Sequence, residues 1–77
     1  MPRHRPLSGY VVCVGNRGYR ASLMVRRIYR RLPDAAAEEQ RTVRIIDESG
    51  EDYLFPQELF MPIELPGAVE KALAAVG

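Results

Sequence analysis

The apolar positions of this chain fall into short runs whose spacing changes from one run to the next. Tyr10-Val11-Val12-Cys13-Val14 is β-branched and aromatic and stops at Gly15-Asn16, which predicts a strand closed by a turn. Thr42-Val43-Arg44-Ile45-Ile46-Asp47 is a second such strand and Glu51-Asp52-Tyr53-Leu54-Phe55 a third. Glu48-Ser49-Gly50 joins them, with a glycine where a tight turn needs positive φ, so the pair predicts a hairpin. Pro56 lacks the N–H that a central ladder requires and stops the third strand, and Gln57-Glu58-Leu59 follows as a short turn. Phe60-Met61-Pro62-Ile63-Glu64-Leu65 reads as a last strand, placed at a sheet edge by Pro62, which also discourages that edge from pairing with a second copy. Pro66 suits the first position of a helix, and Leu65, Val69, Leu73 and Val76 make an apolar stripe at helical spacing.

One stretch supports two readings. Ala21, Met24, Val25, Ile28, Tyr29 and Leu32 recur at helical intervals with arginines between them. The competing pattern leaves Leu23 in a loop and runs a strand through Arg27-Ile28-Tyr29-Arg30-Arg31-Leu32 to Pro33-Asp34. Beyond it, Asp34 is an N-cap residue for Ala35-Ala36-Ala37-Glu38-Glu39-Gln40, a piece long enough for one helical turn within a loop.

A longer pattern bears on that choice. Leu23, then Arg27-Ile28-Tyr29 and Leu32, a polar loop, Val43 through Pro56 and finally Phe60 together resemble the small bacterial Src-homology-3-like domains. The resemblance spans roughly residues 10 to 65 and is most specific from Asp47 to Phe60. In such domains a leucine precedes the second strand, a charged hairpin joins the third and fourth, and a strand ending in Phe-Pro leads into a single 3₁₀ turn. The resemblance therefore implies a strand over residues 27–32 and a mainly β fold, a small five-stranded barrel with a short C-terminal helix. The expected organisation is a flexible basic tail over 1–8, a barrel over 9–65, and an amphipathic helix packed on the barrel over 66–77. Eukaryotic members bind proline-rich peptides on stacked aromatics. This chain has no tryptophan, places Thr42 where the third strand opens and Leu59 at the turn-tyrosine position, and has no aromatic pair in Gly15-Asn16-Arg17-Gly18, so that ligand does not carry over.

Composition narrows the class further. Seventy-seven residues with 47% hydrophobic and 27% charged side chains suit one compact core. Apolar runs are far shorter than the roughly 20 residues of a membrane span. A lone cysteine, Cys13, cannot form an internal disulfide and fits a reducing compartment, which makes the cytoplasm the expected location. The net charge of +1 conceals a segregation: residues 1–44 hold ten arginines against three acids, +7, and residues 45–77 hold seven acids against Lys71, −6.

Candidate chemistry is sparse. Arg26, Arg27, Arg30 and Arg31, with Arg17, Arg20, Arg41 and Arg44, offer a basic patch for phosphates, and Tyr29 a ring to stack on a base. Cross-strand pairing with Glu51, Asp52 or Glu64 is the structural alternative. The candidate binding residues are thus Arg27, Tyr29, Arg30, Arg44, Tyr53 and Phe55. Asp47, Glu48, Glu51 and Asp52 crowd one hairpin but match no calcium-loop spacing, and one cysteine with one histidine falls short of a structural zinc site. Gly15-Asn16-Arg17-Gly18 lacks the Gly-Lys-Ser/Thr end of a phosphate loop. With His4 in the basic tail and Cys13 in an apolar strand, no catalytic triad assembles. The expectation is a non-enzymatic module without cofactor or metal that binds another protein, with nucleic acid or ribosome association through the arginine face as the alternative.

Overall fold

A computed structural model describes residues 9–76. The basic tail expected over 1–8, with His4, and the terminal Gly77 lie outside the described residues. Five strands form one antiparallel sheet: β1 (Gly9–Cys13), β2 (Ile28–Leu32), β3 (Thr42–Ile46), β4 (Asp52–Pro56) and β5 (Phe60–Ile63). Their order is β4-β3-β2-β1-β5, so β4 and β5 are the two edges and do not pair with each other. Two short helices complete the chain, α1 (Ala35–Glu39) and α2 (Gly67–Val76).

Residues 21–32 resolve the sequence ambiguity in favour of turns followed by a strand. Tyr29 pairs with Val11 and points into the core, while Ile28 and Arg30 face outward, the two-residue alternation of a strand. The helical spacing of the apolar residues is overridden because Leu23 is fully buried on its own, at the head of the core, from a loop. β3 alternates cleanly, with Val43 and Ile45 buried and Thr42, Arg44 and Ile46 half-exposed.

The core lies on one face of the sheet. Val11 and Cys13 of β1, Tyr29 of β2, Val43 and Ile45 of β3, Phe55 of β4 and Phe60 of β5 line it, and Leu23 and Leu59 fill its ends. The connection from β4 to β5 determines its shape. A single 3₁₀ turn, Gln57–Leu59, carries the chain from one edge strand to the other. Three residues of 3₁₀ helix rise about 6 Å, whereas edges of a flat five-stranded sheet lie about 19 Å apart. The sheet therefore curls over its core, and the Phe55 and Phe60 rings meet with centroids 6.2 Å apart.

Several element ends differ from the sequence expectation, and β4 includes Pro56, which pairs with Thr42 instead of stopping the strand before it. β1 ends at Cys13, and the Val14 N–H beyond it still donates to the Leu59 carbonyl at 2.8 Å, in register with the β1–β5 pairing. A Cβ on Gly15 would meet the Leu59 side chain at 3.4 Å, close to ordinary van der Waals contact, so packing does not demand glycine there. β5 ends at Ile63 rather than Leu65, and Pro66 precedes α2 instead of opening it, its carbonyl accepting from Val69 and Glu70. Leu65 and Leu73 are half-buried while Val69 is exposed, so the stripe of α2 is only partly covered. The one-turn helix behaves as expected: the Asp34 carboxylate accepts from the Ala37 N–H at 3.0 Å and caps α1. Thr42 and Pro56 close the β3–β4 ladder at one end, and Gly50, at φ 87°, closes the hairpin at the other.

At the base of the long β1–β2 excursion one residue faces two. The Cys13 carbonyl accepts from the Arg26 N–H at 2.7 Å and the Cys13 N–H donates to the Arg27 carbonyl at 2.9 Å, the pattern of a bulge whose first residue is ordinarily glycine. Arg26 adopts φ 75° to make it. An arginine there carries a left-handed strain that glycine avoids, partly offset because glycine loses more backbone freedom on folding. Arg26→Gly should hold or raise stability by a few tenths of a kcal/mol, and Arg26→Val, β-branched at positive φ, should lower it by about 1–2 kcal/mol in urea denaturation.

Candidate functional site

The arginines that the sequence grouped as one basic patch divide into paired and unpaired sets. Arg44, on the outer side of β3, places Nε and Nη2 on the Asp34 carboxylate at 2.8 Å and Nη1 on Asp52 at 2.9 Å. One guanidinium thus ties the α1 cap to β4. The backbone N–H of Ala37 and then Arg44 hold the Asp34 carboxyl below its usual range, and Asp34 with Asp52 pushes the Arg44 guanidinium up. Arg31 lies on the core side of β2 against α1, with Nη2 2.8 Å from Glu38 Oε2, both side chains largely enclosed. That contact is an ion pair rather than an aligned hydrogen bond, and Arg31 Nε is buried without a partner. Arg27 reaches Glu48 at 3.3 Å. Arg17, Arg20, Arg26, Arg30 and Arg41 are exposed, with no acidic partner among the described residues.

The predicted aromatic sites separate by burial. Tyr29, at 5% exposure, and Phe55 belong to the core, so neither presents a ring face to a ligand. An inward position in β2 buries Tyr29 edge-on to Phe60, and the same position in β4 buries Phe55 against Phe60 and Tyr19. Tyr53 is exposed, its hydroxyl donating to Glu51 Oε1 at 2.8 Å, and this bond pushes the phenol up. Arg27 and Arg30 lie on or beside β2, whereas Tyr53 and Phe55 lie on β4 with β3 between, so the six candidates form no single site.

Tyr29 has a different role. Its hydroxyl donates to Glu48 Oε2 and accepts from the Met24 N–H at 2.7 Å, joining the excursion to the β3–β4 hairpin. Burial first, and then the bond to Glu48, push the phenol up to about 12. The hairpin acids are equally committed: Asp47 to the Ser49 N–H and hydroxyl, Glu48 to Tyr29 and Arg27, Glu51 to Tyr53, and Asp52 to Arg44. No three potential metal donors converge among the described residues. Cys13 is fully buried, its thiol donating to the Gly15 carbonyl at 3.1 Å, and burial pushes it up, away from the thiolate that nucleophilic chemistry needs.

The face opposite the core carries residues that sequence reasoning passed over. The registers align Met61, Val12 and Ile28 in one row across β5, β1 and β2, and Ile63, Tyr10 and Arg30 in the next. Met61 is 55% exposed and Ile28 41%. Strand alternation in β1 and β5 was the available signal: positions between buried residues should face water, yet these are apolar. Tyr19, 37% exposed, directly follows the Gly15-Asn16-Arg17-Gly18 loop and was likewise not legible as a surface ring.

No protein family, curated protein or solved structure matches this chain. No helix among the described residues is long and apolar enough to cross a membrane.

Because the Tyr29 phenol is raised from 10 to about 12, its contribution to stability is present below pH 10 and disappears as pH rises through about 12. Tyr29→Phe should cost about 2 kcal/mol at neutral pH through loss of a hydrogen bond to a carboxylate. The same variant should show a smaller stability loss between pH 10 and 12 than the native chain, measured by urea denaturation across that window.

Proposed function

We propose that this chain is a small, non-enzymatic binding module of the Src-homology-3-like barrel kind, which engages another protein through the outer face of β5-β1-β2. Support for the barrel comes from the strand order β4-β3-β2-β1-β5, the 3₁₀ turn linking the edges, and a core lined by all five strands. The binding role rests on one observation, the row Met61–Val12–Ile28 with its neighbours Tyr10 and Ile63, apolar side chains on a sheet face that the core does not use. A contiguous apolar face on a small protein is characteristic of an interaction surface. Arg30 at its margin supplies a charged rim, the usual anatomy of such a contact. Cys13, a lone buried thiol, supports a cytoplasmic location within the same proposal.

A photo-reactive amino acid placed at position 28 or 61 in cells should yield a discrete protein adduct, and the same residue at position 39, on exposed α1, should not. Adding Ile28→Glu to the position-61 variant should abolish the adduct, because a carboxylate would be desolvated on contact. Adducts that are absent at both positions, or equal at 39, would overturn the reading, provided nuclear magnetic resonance spectra show the variants folded.

A further inference from the structure

A second surface lies on the β1–β2 excursion. Its fourteen residues, Val14 to Arg27, include four arginines and no acid. Among the described residues a single carboxylate, Glu48, reaches it, and that group is taken by Arg27 and Tyr29. Arg17, Arg20 and Arg26 keep their charge uncompensated and exposed, while Arg31 and Arg44 are neutralised by their own acids. Among the described residues, three of the five unpaired arginines thus lie on this one excursion, the other two being Arg30 on β2 and Arg41 between α1 and β3.

The same segment carries an aromatic residue. Tyr19 lies between Arg17 and Arg20 in sequence, partly exposed, and meets Phe55 edge-on with centroids 5.3 Å apart, which fixes its plane. The excursion is held by its own bonds: Tyr19 N–H to the Asn16 carbonyl at 2.8 Å, Leu23 N–H to the Tyr19 carbonyl at 2.9 Å, and Asn16 Nδ2 to the Leu23 carbonyl at 3.0 Å. Glu48 N–H bonds the Ser22 carbonyl at 3.1 Å and anchors the loop to the hairpin. A ligand thus meets a surface already ordered, with little conformational entropy left to lose.

Guanidinium groups donate in a planar fork that matches phosphate oxygens, and an exposed ring accepts any base face by stacking. We propose that the excursion binds single-stranded nucleic acid, with Arg17, Arg20 and Arg26 on backbone phosphates and Tyr19 under a base. A single strand is required because stacking on a side chain uses a base face that a duplex keeps covered. An acidic protein would satisfy the arginines but leave the ring without a role.

The test titrates the full chain into labelled oligouridylate and oligodeoxyuridylate of about twelve nucleotides, strands that differ only at the 2′ position and whose length is within the usual footprint of small single-strand binders. Three phosphate contacts at about −0.7 each in the salt slope predict that affinity falls about 20-fold between 50 and 200 mM salt. Substituting Arg17, Arg20 and Arg26 together by Gln should flatten that slope, and Tyr19→Leu, which keeps an apolar contact with Phe55, should weaken binding at least about 5-fold. Lys71→Gln, a charge removed from α2, should leave both quantities unchanged, and circular dichroism should show all variants folded. Preference for the ribo strand assigns RNA through its 2′-hydroxyl, and equal affinity assigns single strands of either kind. No binding at 50 mM salt, an unaltered slope in the triple variant, a Lys71→Gln effect as large as the triple variant's, or equal affinity for a polyglutamate peptide would each overturn the proposal.

Discussion

Passing from one edge of a five-stranded sheet to the other in three residues is possible only if the sheet bends until its edges approach, and the Gln57–Leu59 turn imposes that bend here. The remainder of the architecture follows. A curled sheet has one concave face, and the inward residues of all five strands meet on it, with Phe55 and Phe60 in contact across the turn. With only short helices beside the strands among the described residues, this is how one sheet covers its own apolar face.

The β1–β2 excursion adds Leu23 to this core. Leu23 is driven fully into the core from a segment with no ladder of its own, so its backbone must find partners elsewhere. Tyr29 supplies one of them. Its ring packs with the core and its hydroxyl reaches both Met24 and Glu48, linking a core strand, the excursion and the hairpin at one oxygen. The residue that looked like a base-stacking ring is thereby a structural clamp, and the rigidity it lends the excursion makes the neighbouring Tyr19 and arginines a defined surface.

The two proposed surfaces are separated by chemistry. The outer rows of β5-β1-β2 are apolar with Arg30 at the margin, and the excursion is cationic with one ring. One suits desolvation by a protein partner, the other a hydrated polyanion whose hold depends on salt.

Most elements were legible in the sequence because their signals are local. Gly50 marks the hairpin, Asp34 caps α1, Pro62 lies on an edge strand, and alternation in β3 selects Val43 and Ile45 for the core. The segment 21–32 was not settled locally, since its apolar spacing satisfies a helix and only resemblance favoured the strand that β1 and β3 pair with. The candidate site was less legible still. Sequence shows ten arginines and the acids that might meet them, but pairing depends on which groups the fold brings within reach. Arg44 finds Asp34 ten residues away across α1, Arg27 finds Glu48 across the hairpin, and Arg17, Arg20 and Arg26 find no acid among the described residues. Local turn chemistry and period are properties of neighbouring residues, so the sequence alone determined β1, β3, β4 and β5, the α1 cap and the hairpin, but not β2. Charge compensation and burial depend on distances between residues far apart in the chain, so only the tertiary structure decided which arginines remain free and that Tyr19 and Tyr53 are exposed while Tyr29 is buried.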